Sequence, residues 1–161
     1  MRPRDRAAAC AWLGGMTAPG TSVEAVDHLV RMLLSTPGRW AVVGLSTNTG
    51  RAAHGVAAYL QTLGHRIVPV HPRAETVHGE PGAATLEQVH GPVDVVDVFV
   101  NSTRAGAVVD AAAAIGARAV WLQLGVHAPE SVARARAAGL DVVEGRCPRI
   151  EGPRLGVRPQ P

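Results

Sequence analysis

Lysine is absent from this 161-residue chain, in which all 16 basic residues are arginine. Its absence excludes Schiff-base chemistry and the lysine of a Walker-type phosphate loop. Aromatic residues that could stack on bases are also scarce, since the chain has 3 Trp, 1 Tyr and 1 Phe. Because the arginines are spread along the chain and form no cluster, we expect no binding of nucleic acid.

The chain also has few cysteines and no long apolar run. Two cysteines, Cys10 and Cys147, are too few for a disulfide framework. No stretch approaches the roughly 18 apolar residues that a membrane span needs. The apolar stretch 7–13 is short and broken by Gly14 and Gly15, so it does not have the form of a signal peptide. We therefore expect a cytoplasmic protein with no membrane partner.

Strand-like and helix-like segments alternate from residue 21 onward. A helix is expected from a Thr21 or Ser22 cap to Ser35, because apolar residues recur there at helical spacing. The predicted strands cover 40–45, 66–70, 93–100, 118–122 and 141–144, and the further helices cover 52–63, 103–115 and 129–138, with a short helix at 85–89. Glycine follows the three further helices, which is typical of helix ends.

This alternation predicts the fold class and the domain boundaries. It favours an α/β fold: a Rossmann-like, doubly wound, parallel five-stranded sheet in a three-layer α/β/α arrangement, with an N-terminal helix. We expect the strand order 3-2-1-4-5, with the ligand at the switch point between the first and fourth strands. Residues 1–20 are predicted to be a disordered tail, 21–152 the domain and 153–161 a C-terminal tail.

The loop after the first strand is the strongest candidate for a binding site. Gly44 lets the backbone turn sharply, and Ser46 and Thr47 supply hydrogen-bond donors. The helix start adds free N–H groups with a partial positive charge, Arg51 adds a guanidinium, and His54 lies in the first turn. These features predict a site for a phosphate or pyrophosphate. An ordinary polar loop with a capped helix is the alternative.

The end of the second strand indicates which nucleotide is bound. An NAD site needs a carboxylate there and a second glycine in the preceding loop, where this chain has Ser46. The strand runs instead into Val70, His71, Pro72 and Arg73. His71 and Arg73 favour an additional phosphate near the adenosine ribose, which NADP and coenzyme A both carry, or else they belong to a solvated loop.

Several blocks of residues, in unbroken order, resemble the small stand-alone coenzyme A-binding proteins. That family is similar to the nucleotide-binding domain of the succinyl-CoA synthetase α subunit. The matching blocks are 42–46 with Arg51 and 55–60, then 64–72, 93–99, 120–126, 139–143 and 146–151. In the family, Asn usually stands at the position of His71, and a basic residue stands near the position of Asn101.

The resemblance implies a role for each matching position. The phosphates would be faced by Gly44, Leu45, Ser46 and Arg51, the adenosine end by Val70, His71 and Pro72, and the pantetheine arm by Val98 to Asn101, including Val100, and by Leu124 and Gly125. It implies a protein that binds coenzyme A or acyl-CoA. Because the sequence shows no recognisable nucleophile–base pair, we expect the protein to be non-catalytic by itself, with a homo-oligomer or a partner protein possible. An NADP-binding oxidoreductase-like domain and a subunit of an acyl-CoA synthetase-type enzyme are the alternatives.

Other reactive residues give weaker signals. Seven histidines show no pair at the close spacing of metal ligands, so we expect surface or loop histidines and no metal. Asp94 and Asp97 fall on opposite faces of a strand, which argues against an acid–base pair and favours a hydrogen bond to a neighbouring loop or helix start. Cys147 lies between arginines and is either a redox-sensitive thiol or a structural one. No catalytic residue is predicted.

Overall fold

A computed structural model describes residues 22–161, and the predicted tail 1–20 lies outside the described residues. The helices are α1 (Val23–Ser35), α2 (Ala52–Thr62), α3 (Ser102–Ala114), α4 (Pro129–Ala137) and α5 (Pro148–Arg154), and the strands are β1 (Arg39–Val43), β2 (Arg66–Val70), β3 (Val95–Val98), β4 (Ala119–Leu122) and β5 (Asp141–Glu144). A short 3-10 helix covers Leu86–Gln88. The alternation predicted from the sequence is confirmed.

The five strands are parallel and lie in the order β2-β1-β3-β4-β5. The predicted order 3-2-1-4-5 is wrong, because β3 pairs with β1 and β2 lies at the edge. The edge position of β2 suits its proline, Pro69. Its carbonyl points outward and accepts from the N–H of Ala83 at 2.9 Å, so its missing N–H also faces the open edge. A proline is tolerated at an edge because no strand needs a donor there.

Helices cover both faces of the sheet, which confirms the three-layer arrangement. One face packs α3 and α4 against alternate residues of the strands, and the other packs α1, α2 and α5. Small residues such as Ala105 and Ala112 let α3 approach the sheet closely, whereas the wholly buried Trp40 and Trp121 fill the other layer. Because both faces are covered, the strands are apolar along most of their length.

The first helix, α1, is linked by ion pairs to the C-terminal part of the chain. The hydroxyl of Ser22 accepts from the N–H of Ala25 at 3.2 Å and begins α1, as the sequence predicts. Asp27 of α1 pairs with Arg154 and Arg146 at the C-terminal end. The helix α5 was not expected from the sequence, and the residues after it are hydrogen-bonded to α2 and α5. The boundaries of the domain stay predictions.

The helices of the described part are short compared with a membrane-spanning helix, which needs about 20 residues. Among residues 22–161, the longest helices are α1 and α3, with 13 residues each. Within the part of the chain that the structure describes, no helix is long and apolar enough to cross a membrane.

Candidate functional site

A cleft of about 820 Å³ opens at the carboxyl ends of β1, β2 and β3. After β1 the chain enters α2 on one face of the sheet, and after β3 it enters α3 on the other face. The switch point therefore lies between β1 and β3, and not between the first and fourth strands as predicted. Parallel α/β sheets bind their ligands at such a point. The lining includes Val43, Gly44, Ser46, Asn48, Arg51, Val70, His71, Pro72, Arg73, Thr85, Leu86, Glu87, Phe99, Val100, Asn101, Thr103, Arg104, Ala107, Val108 and Ala111.

Gly44 forms the floor of the cleft between β1 and β3. Its φ is +99°, and a Cβ at this position would lie 2.9 Å from the carbonyl oxygen of Phe99. Its N–H donates to the carbonyl of Val70 at 2.8 Å. Glycine is therefore required here by the close approach of β3, whatever the ligand needs.

The loop after Gly44 satisfies much of its own hydrogen bonding. The hydroxyl of Ser46 accepts from the N–H of Asn48 at 3.3 Å, and the amide oxygen of Asn48 accepts from the N–H of Gly50 at 2.9 Å. Thr47 donates to the carboxylate of Glu75. The N–H of His54 donates to the carbonyl of Arg51 at 3.1 Å, so the groups left to meet a ligand are mainly the N–H groups of Ala52 and Ala53 at the start of α2.

Three guanidinium groups line the cleft from three different elements. Arg51 stands at the N-cap of α2, Arg73 follows β2, and Arg104 lies in the first turn of α3. Glu87 is the acidic residue of the lining. The N-termini of α2 and α3 both border the cleft, and their partial positive charges add to those of the arginines. This arrangement suits a ligand with several negative charges.

The segment after β2 is held in place by the backbone. The N–H of His71 donates to the carbonyl of Ala83 at 3.0 Å, and Nδ1 of its ring accepts from the N–H of Arg73 at 3.2 Å. The hydrogen on the neutral imidazole is therefore on Nε2. Beyond β3, the amide oxygen of Asn101, the N-cap residue of α3, accepts from the hydroxyl of Thr103 at 2.6 Å.

The structure brings ten of the residues proposed from the sequence into the lining of one cleft. They are Gly44, Ser46, Arg51, Val70, His71, Pro72, Arg73, Phe99, Val100 and Asn101. Their roles toward a ligand stay predictions.

Six other proposed residues lie outside this lining, and one of them, Val98, is wholly buried in the core. The side chain of Leu45 is wholly buried in the core beneath α2, and Thr47 faces the carboxylate of Glu75. The ring of His54 packs on that of His78, with centroids 4.2 Å apart. Leu124 and Gly125 are exposed in the loop that follows β4.

Sequence reasoning missed one wall of the cleft. Arg104, Ala107, Val108 and Ala111 lie on one face of α3. Their spacing of three and four residues is the spacing of a single helical face, so the signal was present in the sequence. It could be used only once the partner of β1 was known, because that partner decides which helix borders the switch point.

The remaining reactive groups lie away from the cleft lining. Among residues 22–161, no three His, Cys, Asp or Glu side chains are grouped as a metal site requires. Cys147 precedes α5 and packs partly buried against the layer that holds α2. His65 is not at the surface as predicted: it is buried, and its two ring nitrogens meet the backbone of Gly38 and Leu34.

Asp94, which precedes β3, and Asp97, which lies in β3, have different surroundings. Asp94 accepts from the N–H of Arg39 at 2.8 Å, so its partner is the first residue of β1 and not the loop or helix start that was expected. Asp97 is wholly buried, and its Oδ1 accepts from Nε2 of Gln123 at 2.6 Å. Burial raises the pKa of Asp97 to about 8.

The CoA binding domain, as a sequence family, matches residues 38–153 of this chain. The chain belongs to this family. The match contains every residue of the cleft lining, so the cleft is part of the CoA binding domain. An uncharacterized protein of Bacillus subtilis, YneT, is 29% identical over 121 residues, which are 75% of this chain and 90% of that protein.

Solved structures of similar proteins share the fold of this CoA binding domain. A protein from Thermus thermophilus has 36% identity and a TM-score of 0.75, over 80% of this chain and 98% of that one. A hypothetical protein from Pyrococcus horikoshii has 32% identity and a TM-score of 0.76, over 80% of this chain and 91% of that one. An acetyl-coenzyme A synthetase from Ca. Korarchaeum cryptofilum, with 23% identity and a TM-score of 0.59, is similar in fold alone; the match covers 72% of this chain and 27% of that one.

Proposed function

We propose that the protein binds coenzyme A or an acyl-CoA in the cleft between β1, β2, β3 and α3. One observation carries the proposal: Arg51, Arg73 and Arg104 reach the same cleft from three elements, beside two helix N-termini. Membership of the CoA binding domain family supports the same ligand. The volume of about 820 Å³ is in the range of nucleotide and cofactor clefts.

The chemistry of the cleft fits the phosphates of coenzyme A. The ligand carries a pyrophosphate and a separate phosphate on its ribose, so it needs positive groups at more than one point. Guanidinium groups bind phosphate oxygens through paired N–H donors. Arg51 and the start of α2 lie on one side of the cleft, Arg104 and the start of α3 on another, and Arg73 follows β2. When coenzyme A is bound, its thiol supplies the group that carries an acyl chain.

We infer that the domain is non-catalytic by itself. Catalysis by a hydroxyl nucleophile needs a base that hydrogen-bonds to it. In the cleft as described, Ser46 accepts from Asn48 and Thr103 donates to Asn101. None of the lining hydroxyls is hydrogen-bonded to His71 within the described residues. A cytoplasmic location and a homo-oligomer or partner protein stay predictions of the sequence.

A thermal-shift panel tests the ligand. The natural chain is heated with coenzyme A, acetyl-CoA, dephospho-CoA, NADP, NAD and ATP. A ligand at 100 times its Kd stabilises the folded state by about 2.7 kcal/mol. We expect coenzyme A and acetyl-CoA to raise the melting temperature most, and dephospho-CoA to raise it less, because it lacks the ribose phosphate. A shift with NADP but none with coenzyme A would favour the oxidoreductase-like alternative and contradict the proposal.

The variant Arg104→Gln tests whether the cleft is the place of binding. A charged hydrogen bond to phosphate is worth about 1.5–3 kcal/mol, so the affinity for coenzyme A should fall about tenfold or more. Arg118→Gln is the matched control, since Arg118 lies at the opposite end of the sheet and its side chain is 80% exposed. Titration calorimetry should find the control within about twofold of the natural chain. Equal losses in both variants would place the ligand elsewhere.

A further inference from the structure

The segment between β2 and the 3-10 helix, residues 71–84, is called the strap. Its two ends are joined beside the free edge of β2 by backbone hydrogen bonds. Its tip is fixed to α2 by the buried side chain of Val77 and by His78, whose carbonyl accepts from Nε2 of Gln61 at 3.2 Å. The strap is therefore anchored at its ends and at its tip, independently of the loop after β1.

Between these anchors, the strap places a carboxylate on the loop after β1. Oε2 of Glu75 accepts from the N–H of Thr47 at 3.1 Å and from its hydroxyl at 3.2 Å. Oε1 lies 3.6 Å from Nε of Arg73. The hydrogen bond from the backbone of Thr47, followed by the charge of Arg73, lowers the pKa of Glu75. An ionised carboxylate thus occupies these donors at neutral pH.

These donors are at the border of the cleft. Both chain neighbours of Thr47 line the cleft, and so does Arg73. Within residues 22–161, Arg51 and Arg104 have no ion-pair partner, so Arg73 is the cleft guanidinium that already faces a carboxylate. Carboxylate and phosphate oxygens are recognised by the same kinds of donor. The contact of Glu75 therefore resembles that of a bound anion.

We propose that Glu75 is an internal competitor for an anionic group of the ligand. Its carboxylate holds Thr47 and Arg73 while the cleft is empty, and a phosphate oxygen of the ligand takes its place on binding. This inference rests on the proposed binding of coenzyme A. Because the strap has other anchors, the side chain of Glu75 can rotate away while the strap stays in place. The affinity of the site is then set by an exchange of one anion for another.

The variant Glu75→Gln tests the exchange. Glutamine keeps the size of the side chain and an oxygen that accepts from Thr47, but it removes the charge that competes with phosphate. Calorimetric titration with coenzyme A should find binding about three- to tenfold tighter than in the natural chain. Glu80→Gln is the matched control, because Glu80 is on the same strap and its carboxylate makes no hydrogen bond or ion pair among residues 22–161. The control should change affinity less than twofold.

Three results would overturn the inference. Equal or weaker binding by Glu75→Gln would mean that Glu75 is a structural tie or orients Arg73. An equal gain in Glu80→Gln would mean that the effect is one of overall charge. A crystal structure of the natural chain with coenzyme A, in which Glu75 still accepts from Thr47, would exclude displacement directly, even if the variant failed to fold. If the natural chain, Glu75→Gln and Glu80→Gln all fail to bind coenzyme A, the proposed function fails as well. Failure of the inference alone is therefore distinguished from failure of the proposed function.

Discussion

Replacing Asp97 by Asn should change how the stability of the domain depends on pH. Asp97 is wholly buried on β3, its Oδ1 accepts from Gln123, and its Oδ2 has no partner among the described residues. Burial raises the pKa of this carboxyl group from 3.8 to about 8. At neutral pH the group is therefore protonated in the folded chain and ionised in the unfolded chain.

The sign and size of the effect follow from proton binding. Between the two pKa values, the folded state keeps a proton that the unfolded state has released, so the free energy of unfolding falls as pH rises. The contribution of Asp97 is at most ~1.4 kcal/mol per pH unit. Asparagine keeps an oxygen that accepts from Gln123 and does not ionise. The variant Asp97→Asn should lack this slope and should gain stability relative to the natural chain as pH rises toward 8.

Urea unfolding, followed by the fluorescence of the buried Trp40 and Trp121, measures this difference at several values from roughly pH 5 to pH 8. Asp141→Asn is the matched control, because Asp141 is exposed at the start of β5 and its carboxylate makes no hydrogen bond or ion pair among residues 22–161. The free-energy difference for Asp97→Asn should widen with pH, and that for Asp141→Asn should stay constant. A constant difference for both variants would refute the reasoning about burial.

Two further predictions concern backbone fit and a buried histidine. Gly44→Ala should lower the free energy of unfolding by ~2 kcal/mol or more, because φ is +99° and a Cβ would lie 2.9 Å from the carbonyl oxygen of Phe99. Gly55→Ala should leave the free energy of unfolding unchanged or raise it by up to ~1 kcal/mol, since the crowding atom is the flexible end of Arg149 and alanine favours the helix. Equal losses of stability for the two variants in urea unfolding would contradict this contrast. Burial lowers the pKa of His65, so stability should fall as pH drops below ~6.5, where the unfolded chain takes up a proton first. His65→Gln should lack this loss in acid unfolding curves, and an unchanged loss would mean that other groups cause it.

Much of the fold could be predicted because its signals are local. The strands at 66–70 and 141–144 agree with the observed bounds residue by residue, since their β-branched residues are flanked by glycine or proline within two residues of each strand end. The order of the strands depends on pairings between distant segments, which local patterns do not encode. Pro69 was the exception: its missing N–H is tolerated at an edge strand and disfavoured in the inner position that the predicted order required. The helix α5 was not predicted because it is short and contains Pro148 and Pro153, and proline is unfavourable in the interior of a helix.

The site was predictable to the extent that it is built from strand ends. Residues just after β1 and β2 meet in the cleft because parallel strands end at one edge of the sheet. Leu45 and His54 were chosen by position alone, and their side chains point into the core and toward the strap, which sequence spacing does not reveal. Glu75 could not be expected beside Thr47, because the contact depends on the path of a long connection.

A calorimetric titration of the natural chain with coenzyme A tests the central claim most directly. The positive cleft between β1 and β3 predicts saturable binding of one ligand per chain, weakened about tenfold or more by Arg104→Gln and left nearly unchanged by Arg118→Gln. Absence of saturable heat at millimolar coenzyme A, with the folded state intact, would contradict the account.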